Sequence, residues 1–256
     1  MTTLKKKIRD GDGFGSFKES LKEELGDVLW YIAAIAAHNE LKLEEIAADN
    51  LHKTIDRFEH IKLKDIPRLD QNYHERFPNS FIVEFIEEVG EYDLLNVKML
   101  WHDAPGGPKR LGDPLTDNSR QPNNYRYHDV FHLGHVAFLG WSPVIRQLME
   151  LKRRSDALVL DAEDRGRPQV AEEAITLIVY NYAKGNSMLK ASDRIDTDLL
   201  NTIKQLSIDL EVAVATSAQW EITIIESYKV FHQVVENKGG KVLVSPALRK
   251  LSYIGK

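Results

Sequence analysis

Glu24 and Asp27 stand three residues apart in the stretch SLKEELGDVLWYIAAIAAHNELKLEEIAADNLHKTIDRF, Ser20 to Phe58. On an α-helix that spacing puts both carboxylates on one face, about 60° apart around the axis. Gly26 between them costs a helix about 1 kcal/mol relative to alanine, which makes sense where a second helix or a hydrated ion must come close. Further on, Asn50, Lys53 and Arg57 share a face at offsets of three and seven. Carboxylates on one helix facing an amide and two cations on the next suit Mg²⁺ and a phosphate chain. The ordinary alternative is a solvated helix face that happens to carry an acidic pair.

A second group lies downstream. His128, Asp129 and His132 fall on a predicted helix, and His135 shares the face of His128 and His132 better than Asp129 does. Histidine and carboxylate at such spacing can hold a divalent metal, or form a buried hydrogen-bonded network. Pro168 fits the first turn of a further helix that carries Glu172 and Glu173. Lys152, Arg153 and Arg154 form a basic run at an expected helix end, favourable to the dipole and able to hold phosphate or to pair with Glu172 and Glu173. The second candidate site is therefore His128, Asp129, His132, Lys152, Arg153, Glu163, Asp164, Glu172 and Glu173. Glu211, Trp220 and Glu221 are candidates to border a pocket, although a tryptophan at helical spacing is first of all core.

The elements that must position these residues are mainly helical. Ser20 and Glu23 fit a capping box opening a helix whose apolar period runs through Ala37, and Leu43 to Phe58 is a second helix. Residues 66–78 are punctuated by prolines and aromatics and read as a linker, giving expected domains 1–66 and 67–256. Phe81–Phe85 and Val97–Trp101 have strand character. Between them Glu88 and Glu91 spell E-x-x-E, which the flanking β-branched and aromatic residues favour as an exposed acidic hairpin turn. Residues 102–112, with Pro105-Gly106-Gly107-Pro108, read as loop. Thr197–Ala215 and Ser217–Asn237 read as two amphipathic helices, the second stopped by Gly239-Gly240, and a terminal hairpin follows. The expected class is mainly α: a helical domain, then a mostly helical domain with small β-hairpins near 81–101 and 241–254.

Composition narrows the function. The 256 residues carry a net charge of -5, against a general nucleic-acid binder, which needs a basic surface. With no cysteine, disulfides and thiolate metal sites are excluded, in keeping with a cytoplasmic protein. No uncharged apolar run approaches twenty residues and the start has no apolar signal core, so neither membrane insertion nor secretion is expected. Lys5-Lys6-Lys7 reads as a helix tail. Phosphate-binding loops, dinucleotide fingerprints and nucleophile elbows are absent from the sequence.

EELGDVLWY followed by NLHKTIDRF resembles the second half of the MazG-type all-α nucleoside triphosphate pyrophosphohydrolases. In that family E-x-x-E and E-x-x-D on two helices hold Mg²⁺, and water cuts the triphosphate between its α- and β-phosphates, releasing a monophosphate and pyrophosphate. The resemblance implies that Glu24 and Asp27 are the E-x-x-D metal ligands, that Lys53 is catalytic with them, and that Asn50, Lys53 and Arg57 face the nucleotide. The family's E-x-x-E helix would end near residues 4–9, where this chain reads LKKKIR. GDPLTDN (112–118), Tyr125–Leu133, Gly140–Pro143, Lys152–Asp156 and Glu163-Asp164 resemble a mostly helical domain found C-terminal to MazG domains in prokaryotic nucleotide-metabolism and conflict systems. Where that pattern has a tyrosine, this chain has His135.

The reading that follows is an Mg²⁺-dependent nucleoside triphosphate pyrophosphohydrolase-related protein acting in nucleotide-pool control or phage defence. Its remaining carboxylates would come from elsewhere in the chain, another protomer or a partner. Leu25, Val28, Leu29 and Ile32 would lack their usual helical partner, so a homo-oligomer or a partner chain is expected to cover them. The alternatives are a catalytically degenerate nucleotide-sensing or oligomerisation module, and a metal-dependent hydrolase site in the C-terminal domain.

Overall fold

The computed structural model describes residues 17–58 and 68–256. The expectations for Lys5–Lys7, for the family's helix near 4–9, and for Ile66-Pro67 lie outside them. The chain forms two compact units, Met1–Phe58 and Glu59–Lys256.

The first unit holds two helices, α1 (Phe17–His38) and α2 (Leu43–Phe58). The second has the bounds that its apolar period predicts. The capping-box reading fails: α1 is already under way at Phe17, with Glu19 in its first turn, so Ser20 and Glu23 lie inside it. An S-x-x-E string is a start signal only where the preceding residues disfavour helix, and Phe17-Lys18-Glu19 do not. Leu41 N–H donates to the Ala36 carbonyl across the turn between the helices, at 2.9 Å, and Glu40 takes a positive φ there. Ala36 is the one buried residue among 18–58. Leu29 and Trp30 are each 66% exposed and Ile35 64%, so the apolar stripe that makes these helices amphipathic has no cover within the described residues.

The second unit is a five-stranded antiparallel sheet with helices packed on it. The strands are β1 (Phe81–Val89), β2 (Leu95–Trp101), β3 (Lys109–Leu115), β4 (Gly239–Ser245) and β5 (Lys250–Gly255), in the order β3-β2-β1-β4-β5. Central β1 places Val83 opposite Trp101 of β2 and Val242 of β4. Its Phe81, Val83 and Phe85 are buried while Ile82 and Glu84 are half-buried, the period-two alternation of a sheet with one face on the core. The small separate hairpins expected from sequence are thus one sheet. They merge through the pairing of 81–86 with 239–244, a contact some 150 residues apart in the chain that no local pattern announces. Part of the expected loop 102–112 is also strand, because β3 is an edge strand, where Gly112 and Pro114 cost little.

Six helices follow: α3 (Asp129–Gly134), continued by a π-helical turn (His135–Leu139), α4 (Pro143–Leu148), α5 (Ala157–Glu163), α6 (Gly166–Gly185), α7 (Thr197–Leu206) and α8 (Ser217–Glu236). Several are set by local chemistry. Ser142 caps α4 by accepting from Ile145 N–H at 3.0 Å, with Pro143 at the first helical position. Asp156 caps α5, and Thr216 with Gln219 forms a capping box on α8. The single expected helix 197–215 is instead α7 and a short 3₁₀ turn, Glu211–Val214. Gly239, at φ +106, opens β4, where a Cβ would sit 2.3 Å from the Phe85 carbonyl oxygen. Only glycine allows that approach.

Residues 68–78 are not a linker. Asp70 and Phe77 are fully buried. Arg146 donates to Asp70 at 3.0 Å and to the Glu75 carbonyl at 2.9 Å, and its guanidinium lies over the Phe77 ring at 4.3 Å. Prolines and aromatics signal irregular backbone, but a buried arginine on α4 turns that backbone into part of the core. Glu87, next to the acids expected in an exposed hairpin turn, accepts from Arg126 at 2.8 Å and from Tyr127 Oη at 2.6 Å. Arg126 also binds Asp117 at 2.9 Å, so this group fastens the sheet to the start of the helical layer.

α3 rests on α8 through Gly134, whose hypothetical Cβ would lie 1.8 Å from Ser227 Oγ and 3.0 Å from Ser227 Cβ. Alanine's better helix propensity is worth about 1 kcal/mol, less than the strain of forcing an atom into that contact, about 1–3 kcal/mol. Gly134→Ala is therefore expected to lower stability in urea unfolding, and an unchanged or raised midpoint would show that α3 has room to move.

Candidate functional site

The predicted residues of the first unit stand on α1 and α2. Glu24 is half-buried and Asp27 exposed; on α2, Asn50 and Lys53 are exposed and Arg57 is half-buried. A Cβ at Gly26 would meet nothing within 4 Å, so the space beside the acidic pair is open. Among the described residues, Glu24 and Asp27 belong to no group of three or more His, Asp or Glu with ligand atoms within 4.8 Å of one another. The two groups that do are His128–Asp129–His132 and His132–His135–Glu172.

Those groups form where α3 and its π-turn face α6. Three residues per turn or slightly more send His128, His132 and His135 to one side, and Glu172 of α6 meets them. Glu172 Oε1 accepts from His132 Nδ1 at 2.8 Å and from His135 Nδ1 at 2.9 Å, and Oε2 from Val144 N–H at 2.9 Å. All three side chains are buried. Burial alone would raise the Glu172 pKa, but the His132 charge and both imidazole hydrogen bonds outweigh it and hold it at about 2. For His132, burial pulls the pKa down and Glu172 more than offsets it, leaving it well above the usual value. His135 is lowered by burial, which Glu172 only partly opposes. The short separations in this trio are hydrogen bonds, so it is a buried polar network.

Glu173, the next residue on α6, points elsewhere. Its Oε2 is 3.6 Å from His132 Nε2 and 3.9 Å from His128 Nε2, and its side chain is 47% exposed. With Tyr125, Gln147, Gln169 and the apolar Val144 and Leu177 it lines a cleft of about 580 Å³. Tyr125 stacks on His128 with ring centroids 4.3 Å apart, and burial, then the charges of Glu173 and Asp129, push its phenol up to about 12. Tyr125 was missed as a site residue, because what distinguishes it is a ring contact with a neighbour three positions on.

The other half of the second candidate set separates from this one. Arg153 makes a two-pronged bond to Asp164, 2.7 and 3.1 Å, and another to Glu211, 2.8 Å on each prong. Arg153 and Asp164 are fully buried, so the arginine is committed to two carboxylates inside the body rather than to phosphate. Lys152 is half-buried beside it. Glu172 and Glu173 do not pair with the basic run as sequence allowed; Asp164 and Glu211 do. Glu211, Trp220 and Glu221 do not line the cleft that Glu173 borders. Trp220 is in the core, and Glu221 accepts from Ile195 N–H at 2.7 Å.

The two units carry separate sets of carboxylates and imidazoles, the first on an acidic helix pair, the second on a sheet-and-helix body. The chain belongs to the MazG family: the family model of the MazG C-terminal domain matches residues 64–256, and that of the MazG nucleotide pyrophosphohydrolase domain matches 6–62. No curated protein and no solved structure matches the chain. Among the described residues no helix is long and apolar enough to cross a membrane.

Glu163 accepts from Glu211 N–H at 3.1 Å. Burial first, and the charges of Glu211 and Asp164 after it, raise its carboxyl to about 7 against Arg153. Between pH of about 4.5 and 7 the folded chain keeps a proton that the unfolded chain has lost, so this group lowers stability as pH rises through that window. Glu163→Gln is expected to raise the thermal midpoint at pH 8 and leave it unchanged at pH 4; equal effects at both would show an ordinary carboxylate.

Proposed function

We propose that this chain is a nucleoside triphosphate pyrophosphohydrolase-related protein, Mg²⁺-dependent, with Glu24 and Asp27 as metal ligands and Lys53, Arg57 and Asn50 toward the nucleotide. The observation that carries this reading is the match of residues 6–62 to the MazG nucleotide pyrophosphohydrolase domain, with Glu24 and Asp27 one turn apart on α1. The pair fits a hard cation: Mg²⁺ takes oxygen donors, keeps several waters and is commonly held by one or two carboxylates plus substrate phosphates. When bound it would neutralise phosphate charge and polarise the phosphoryl group. Lys53 and Arg57 would add positive charge where negative charge grows during attack by water.

Two carboxylates are half of the family's set. The bare stripe on α1 and α2 supports completion from outside the described residues, by a second copy or a partner chain whose apolar face covers Leu25, Val28, Leu29 and Ile32. Leu29, Trp30 and Ile35 are each more than 60% exposed, an arrangement more typical of a contact surface than of a solvated one.

Pyrophosphate release from a panel of nucleoside triphosphates with Mg²⁺ tests the reading. Asp27→Ala is expected to cut turnover at least tenfold without loss of fold; turnover untouched by it would remove α1 from the reaction. Measurable nucleotide binding without turnover would instead assign the unit to sensing. Leu29→Glu, measured by light scattering, is expected to reduce the assembly to a smaller species. A wild-type monomer would mean that the stripe is not an interface between copies.

A further inference from the structure

Two histidines of the second unit are held with the same ring atom turned the same way. His128 Nδ1 lies 2.9 Å from the Tyr125 carbonyl oxygen. A carbonyl only accepts, so Nδ1 carries the proton and Nε2 is left as the free nitrogen. His132 Nδ1 donates to Glu172 at 2.8 Å, which fixes the same orientation. Stacking of Tyr125 on His128, with 7° between the planes, keeps that ring from turning away.

Two carboxylates lie beside these Nε2 atoms. Glu173 Oε2 is 3.6 Å from His132 Nε2 and 3.9 Å from His128 Nε2, and Asp129 Oδ1 is 3.9 Å from His128 Nε2. These gaps are too long for hydrogen bonds. They are close to the spacing of ligands around one ion, since tetrahedral bonds of about 2.0–2.1 Å set ligand atoms about 3.4 Å apart. His132 Nε2 is the deciding atom. The residue is 0% exposed, and among the described residues this nitrogen has no hydrogen-bond partner. Leaving such a group unpaired is unfavourable, and a metal bond removes that cost.

We propose that His128, Asp129, His132 and Glu173 form a centre for a divalent transition-metal ion of the zinc, cobalt or manganese class, oriented from behind by Glu172 and the Tyr125 carbonyl. Two imidazoles favour these ions over Mg²⁺, and two carboxylates match a double positive charge. A ligating histidine whose other nitrogen donates to a carboxylate or carbonyl is the usual construction of such a site. Glu173 is the half-exposed member and lines the cleft, so an ion entering through the cleft meets it first. The centre is independent of Glu24 and Asp27.

The full chain, stripped with a chelator, is titrated with Zn²⁺ and Co²⁺ by calorimetry and by the visible spectrum of bound Co²⁺. The same titration is run on Asp27→Ala, so that α1 contributes nothing. One equivalent per chain is expected in Asp27→Ala, and the same equivalent is expected in the wild-type chain beside whatever α1 adds. Glu173→Gln and His128→Gln are expected to weaken it at least tenfold, and Glu172→Gln about 10–100-fold. Circular dichroism checks that each variant is folded; Glu173 is the safest substitution because its side chain reaches solvent. Absence of binding in the folded wild-type chain overturns the proposal. So does binding that Glu173→Gln and His128→Gln leave unchanged, because the ion would then sit on other histidines.

Discussion

A carboxylate sealed from water has to be met by donors on every side, and Glu172 is met by three. Its partners come from α3, the π-turn and the first turn of α4, so one side chain of α6 ties together the elements that surround it. Were these donors missing, the charge would be buried uncompensated, a penalty of about 3–5 kcal/mol where such pairs have been broken. This demand orients His132, and through it the outward nitrogen that faces Glu173. Position and chemistry in this body therefore share a single cause: adjacent glutamates on α6 face opposite duties, one binding histidine protons inside, the other reaching the cleft.

The arginines show the same rule at a second place. Arg146 and Arg153 are buried beside Asp70, Asp164 and Glu211, and neither could stay charged there without them. That knot recruits residues 68–78 into the core and takes Arg153 out of consideration as a phosphate ligand. Basic runs near acidic ones are ambiguous until burial is known. Here burial converts a surface-like motif into a structural fastening, shares no bond with the histidine cluster, and leaves the latter free for chemistry.

The first unit presents the opposite physics. Its helices have strong local reasons to form and little to bury. Its exposed apolar stripe is why metal, nucleotide and partner are linked in the function proposed for this unit. Family membership makes nucleotide pyrophosphate chemistry the natural frame for it, while the C-terminal body carries a cluster whose imidazoles point to a different class of ion.

Local chemistry made much of this legible from residues alone. The apolar period delimited α2, Pro168 marked the first turn of α6, and EELGDVLWY with Gly140–Pro143 carried the family resemblance. Histidines at 128, 132 and 135 were visible as one face because helical geometry is a near-neighbour property. What the tertiary structure decided was long-range: that 81–86 pairs with 239–244 to make one sheet, that Asp164 and not Glu172 answers Arg153, and that Glu172 and Glu173 divide between orienting and facing the cleft. Spacing tells which side chains can share a face, because that depends on a few backbone angles. Which of them lose water, and to whom they then turn, depends on segments brought together from across the chain, and no local pattern contains that.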